Sequence, residues 1–182
     1  MKSVIFSAAG DYFFTRRLKN HIGKLLVAGI PGVVAWFVLH FVKLNCTVKI
    51  DEVFSGFINV QISAIAILIS FSIAIITIMV SADNDNIKRT KSTPSTECKK
   101  LKRTEETLSL FQVLLSNITY NVFVEAGYLI LLIFCIFFQM FIGESVIKVI
   151  MAVCVSFVVH IFHVLLESVG QMYLTFWSNS NA

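Results

Sequence analysis

The chain has 182 residues, of which 57% are apolar and only 14% charged, with a net charge of +4. Soluble domains average about half apolar and about a quarter charged, so an aqueous fold would have too few charges to cover its outside. The cysteines, Cys46, Cys98, Cys135 and Cys154, show no CxxC pair and no zinc-type spacing. They offer no disulfide framework, and Cys135 and Cys154 read as small apolar residues within apolar runs.

Residues 1–21 place Phe6, Tyr12, Phe13 and Phe14 beside Arg16, Arg17 and Lys19. That is the content of an interfacial segment resting on anionic headgroups, and equally of a simple topology anchor. The apolar stretch before Asp11 is too short for a cleaved signal peptide. A membrane-crossing helix needs about 20 mostly apolar residues, and four segments qualify: 22–42, 57–80, 122–142 and 146–169. Lipid leaves backbone polar groups to be satisfied internally, which predicts a helix for each. Pro31 lies within the first and removes one backbone donor. The second has no charge between Glu52 and Asp83, and Ser63, Ala66, Ser70, Ala74 and Thr77 recur along it at spacings of three or four. Small residues so spaced let helices approach closely in lipid, which predicts a helix-packing stripe.

Basic residues set the expected orientation. Lys2, Arg16, Arg17, Lys19 and Lys24 stand at or before the first span, and Lys88, Arg89, Lys91, Lys99, Lys100, Lys102 and Arg103 between the second and third. The opposite side holds only Lys43, Lys49 and Lys148. Cytoplasmic segments carry the lysine and arginine excess. Both termini (1–21 and 170–182) and the segment 81–121 are therefore expected in the cytoplasm, with the 43–56 loop and the 143–145 turn outside.

Within 81–121, the stretch SADNDNIKRTKSTPSTECKK reads as a solvated loop without packed structure of its own. It lacks aromatics for base stacking, so direct nucleic-acid binding is not expected. Beyond it, Thr104 can cap a helix with Glu105 and Glu106 in its first turn. Leu108, Phe111, Leu115 and Ile118 then form one apolar stripe that runs unbroken into the third span. The expectation is one helix from Thr104 to Ile142, its first half projecting about 25 Å beyond the bilayer. The fold class is thus an all-α polytopic membrane protein with four spans and an extended third helix. The projecting stripe needs cover from sister subunits, the chain's own loop or a cytosolic partner, and is a candidate partner-binding surface.

The fourth span carries HIFHVLLE. His160, His163 and Glu167 step by three and four residues and share a helix face. Glu125, near the inner end of the third span, is expected at similar depth. Ionisable groups within spans usually face the bundle interior or a water cavity. The readings are a metal site, a proton or ion path, a pH or potential sensor, and hydrogen bonds that fix an assembly. HxxH lacks the i, i+4 spacing of helical metalloproteases. No cofactor motif and no catalytic set stands in an aqueous segment, so no enzyme is expected.

The layout of four spans, inside termini and a basic middle segment, with SFSIAIITIMVSADN followed by LFQVLLSNITYNVF, resembles the KwaA family, the membrane subunit of bacterial Kiwa anti-phage systems. The resemblance implies an inner-membrane homo-oligomer that detects infection and works with a cytosolic DNA-binding partner, KwaB. A dimer or tetramer is expected from the packing stripe and the polar face together. Two function classes stand open: a sensor and scaffold that controls a cytosolic effector, or a pore-forming effector that depolarises the cell. The projecting stripe favours the first. The second needs polar residues along a whole span, which these spans lack.

Overall fold

The structure, a computed structural model, describes residues 12, 18–41, 49–81, 85–100 and 105–177. In chain order they form α1 (Leu18–Phe41), α2 (Ile50–Ser81), α3 (Asp85–Ser92), β1 (Pro94–Lys100), β2 (Glu105–Ser109), α4 (Leu110–Phe138), a short turn of 3-10 helix (Gln139–Phe141) and α5 (Glu144–Trp177). Among the described residues the protein is all-α apart from one strand pair, and α1, α2, α4 and α5 are long and apolar enough to cross a membrane. Large side chains such as Leu25, Ile30, Phe37, Ile67, Phe134 and Phe137 point outward. That is tolerable in lipid, where an exposed apolar surface costs nothing.

The spans do not pack in chain order. The main contacts join α1 to α5, α5 to α4, and α4 to α2. The central cluster reflects this: Phe54, Ile58 and Ile65 of α2 meet Tyr128 and Leu132 of α4 and Ile147, Cys154 and Ile161 of α5. At one end Ser55 of α2 donates to Gln139 beyond α4 at 2.9 Å. At the other end Met79, Leu114 and Ile118 form a second cluster with Leu110, Phe111 and Met172. With 32 and 29 residues, α2 and α4 are about 48 and 44 Å long, more than the roughly 30 Å hydrocarbon layer needs.

The 81–121 segment differs from its sequence reading in two ways. The stretch expected to be unstructured holds α3 and β1, and β1 pairs antiparallel with β2 in the register Cys98↔Thr107, Lys99↔Glu106 and Lys100↔Glu105. Basic positions of β1 thus stand opposite acidic positions of β2 in the register. Pro94 opens β1, a strand position that tolerates its missing donor. Second, the third long helix begins at Leu110, not Thr104. Glu105 and Glu106 belong to β2. The helix is started by a capping box: the Ser109 hydroxyl accepts from the Gln112 amide at 3.3 Å and the Gln112 side chain accepts from the Ser109 amide at 2.9 Å. Thr104 itself, residues 43–48 and the interfacial N-terminus apart from Tyr12 and the start of α1 lie outside the described residues.

The apolar stripe finds its cover within the chain. Ile118 is buried and Leu108, Phe111 and Leu115 are half-buried. Phe111 lies against the Met79–Leu114–Ile118 cluster, and the Lys91 ammonium of α3 sits over its ring at 5.1 Å. A backbone bond from Leu110 to Thr93 at 2.9 Å ties α4 to the turn after α3.

Candidate functional site

Polar side chains inside an apolar bundle are the natural candidates, because each must find a partner or pay for desolvation. The predicted cluster of His160, His163, Glu167 and Glu125 is split among separate contacts. His160 Nε2 lies 3.2 Å from the Tyr120 hydroxyl of α4. The Tyr120 ring is stacked on Tyr12, with centroids 3.7 Å apart and planes 2° from parallel. Val164 closes this small buried group. His163 is half-buried. Glu167 pairs with the Lys24 ammonium of α1 and accepts from Gln171 at 3.4 Å. Gln171 in turn accepts from Asn117 of α4 at 3.4 Å.

Glu125 belongs to a different contact, between α4 and α2. Its Oε1 accepts from the Ser72 hydroxyl at 3.2 Å and from the Asn121 amide at 2.8 Å. His160 is level with Tyr120, which is five residues or about 7.5 Å along α4 from Glu125. Glu167 lies seven residues, about 10 Å, beyond His160 in the opposite direction. Similar depth is therefore not what the helices provide. Among the described residues no three of His, Cys, Asp and Glu converge in a way that could hold a metal ion.

Tyr120, Asn121 and Ser72 were not singled out from the sequence, and Tyr12 and Lys24 were read there only as parts of an interfacial segment and a topology signal, although a further signal existed. Asn117, Asn121 and Glu125 step by four through an otherwise apolar helix, and all three are fully buried. A second signal is the pair of small-residue spacings Ala28/Gly32 and Ala152/Ser156. A Cβ on Gly32 would meet Ser156 Oγ at 1.9 Å and the Ala152 carbonyl at 2.8 Å, so α1 and α5 touch almost backbone to backbone here. Above that contact an open groove of about 310 Å³ runs between α1 and α4, lined by Leu25, Gly29, Tyr120, Val124, Phe157 and His160. The predicted stripe of Ser63, Ala66, Ser70, Ala74 and Thr77 is exposed along its whole length, so it packs against no other span of this chain.

No protein family, curated protein or solved structure matches the chain. The arrangement of its own residues is what bears on function. Polar groups of α1, α2, α4 and α5 bind one helix to the next, and a cap of α3, β1 and β2 is fixed on the start of α4.

Proposed function

We propose that the chain is the inner-membrane subunit of an anti-phage defence system, as its resemblance to KwaA implies: a homo-oligomeric sensor and scaffold that controls a cytosolic effector of the KwaB kind. The observation that carries this reading is the cap of residues 85–100 and 105–109. A scaffold needs an ordered surface outside the bilayer. Here Ile87 and Thr90 are buried while Lys88, Arg89 and Lys91 are exposed, so α3 has an anchored face and a basic face. The basic excess supports a cytoplasmic side for that face under the positive-inside rule. It suits an acidic patch on a soluble partner. The alternative, a depolarising pore, draws less support, because polar side chains inside the bundle, such as Glu125 with Ser72 and His160 with Tyr120, are engaged in contacts between helices.

The test replaces Lys88 and Arg89 with glutamate and leaves Lys91, which rests on Phe111, in place. The wild-type chain is expected to retain a KwaB-type partner in the membrane fraction and to protect cells from phage. The doubly reversed variant is expected to stay in the membrane but lose the partner. Depolarisation of infected cells that carry the chain without any partner would overturn the scaffold reading in favour of the pore.

A further inference from the structure

No part of Glu125 reaches the surface. Both donors to its carboxyl group, the Ser72 hydroxyl and the Asn121 amide, come to Oε1. Oε2 receives none and is shielded from solvent, and so is the neighbouring acceptor Asn121 Oδ1. An ionised carboxylate shares its charge between two oxygens and gathers donors at both, whereas a carboxylic acid accepts at one oxygen and carries its proton on the other. The one-sided arrangement is that of the acid.

The charges of the surrounding helices agree. Between Glu52 and Ser81, α2 has no ionisable side chain. On α4 the titratable groups are Tyr120, Tyr128 and Cys135, and on α5 Glu144, Lys148, Cys154, His160, His163, Glu167 and Tyr173. Lys148 pairs with Glu144 one turn away, Lys24 of α1 pairs with Glu167, and His160 stands against Tyr120. The hydrogen bonds of Glu125 involve no basic side chain. An enclosed carboxyl without a cation escapes the desolvation penalty by staying neutral.

We propose that Glu125 is an intramembrane proton-binding site: Oε2 carries a proton while α2 and α4 are packed as they are here, and its release to water goes with opening of the Ser72–Glu125 contact. On release the proton passes to a water molecule and leaves a carboxylate, which needs water or a cation beside it. Release and a closed contact are therefore mutually exclusive, and the packing of α2 on α4 becomes linked to the proton. This inference stands independently of the defence role proposed above.

The test uses the full chain in liposomes. At neutral pH the infrared spectrum is expected to show a carboxylic-acid carbonyl band that fades as the pH rises and is missing from Glu125→Gln, which keeps an oxygen for both donors. In the wild-type chain, dicyclohexylcarbodiimide, which attacks protonated carboxyl groups, is expected to add its mass at Glu125, less so at higher pH. Absence of the acid band in the wild-type chain at neutral pH overturns the proposal, whatever the carbodiimide does. Loss of the band when sodium replaces choline at constant pH overturns it in favour of a sodium site.

Discussion

The close approach of α1 to α5 depends on what Gly32 lacks. The Ala152 carbonyl is backbone and cannot swing away as the Ser156 hydroxyl can, so a side chain at residue 32 must push α1 off α5. Gly32→Leu is expected to destabilise the protein by about 1–3 kcal/mol, the usual cost of overpacking, read as a lower unfolding temperature in detergent. Gly29→Ala is the control, because a Cβ there meets nothing within 4 Å. The same helix pair is joined by Lys24 and Glu167, whose side chains are 11% and 27% exposed. Removing one partner of a fully buried pair costs about 3–5 kcal/mol, and exposed pairs contribute about 0–1 kcal/mol. This half-shielded pair belongs between them. Glu167→Gln is expected to cost roughly 1–2 kcal/mol by that interpolation. Lys24→Met removes the other member of the same contact, so the double variant is expected to lose less than the two single variants together. A double variant as weak as the sum of the single ones would show that the two groups do not act as a pair.

Among the elements, α4 shows best how a local signal decides a boundary. Ser109 and Gln112 satisfy each other's backbone donors, and Ser109→Ala is expected to cost about 1 kcal/mol. The loss should appear as faster amide exchange confined to residues 110–114. Phe111→Asp reaches further. It places a charge between Lys91 and the cluster around Met79, and is expected to release α3 and the strand pair to proteolysis while the spans remain in the membrane. Unchanged protease resistance would mean that the cap does not depend on this contact. The four spans were legible because length and apolar content alone specify a helix in lipid. The cap was not, because KRTKSTPSTECKK reads as solvated until Lys99 and Lys100 are set opposite Glu106 and Glu105, a relation that exists only once the chain turns back. TEETLS fits either a helix start or a strand, and SLFQ, the capping box that resolves it, lies five residues later. The partners of the polar residues were hidden for a different reason. His160 meets Tyr120, and Lys24 meets Glu167, because α5 lies between α1 and α4, and a sequence does not state which spans are neighbours.

At the scale of the whole molecule, the outward face of α2 is the surface left to explain. Its inward positions Phe54, Ile58, Ile65, Ser72 and Met79 are buried, while Ser63, Ala66, Ser70, Ala74 and Thr77 are exposed. The hydroxyls of Ser63, Ser70 and Thr77 donate back to the carbonyls of Asn59, Ala66 and Ile73 at 3.0, 3.0 and 2.9 Å. Their polar groups are thereby satisfied within the helix, and the stripe presents a shallow surface rather than unmet donors. Association between helices in lipid comes from close packing and not from apolar character, so a smooth small-residue face can bring another backbone near. The expected assembly is a closed homo-oligomer, a dimer or tetramer, joined α2 to α2. Ser70→Leu with Ala74→Leu adds bulk to this face without touching the buried one. The double variant is therefore expected to run as a folded monomer in native mass spectrometry, with the unfolding temperature of its monomer preserved. A wild-type chain that is monomeric in gentle extracts would remove the oligomer altogether. A double variant that keeps the wild-type stoichiometry would move the joint away from α2, leaving the groove between α1 and α4 as the next face to substitute.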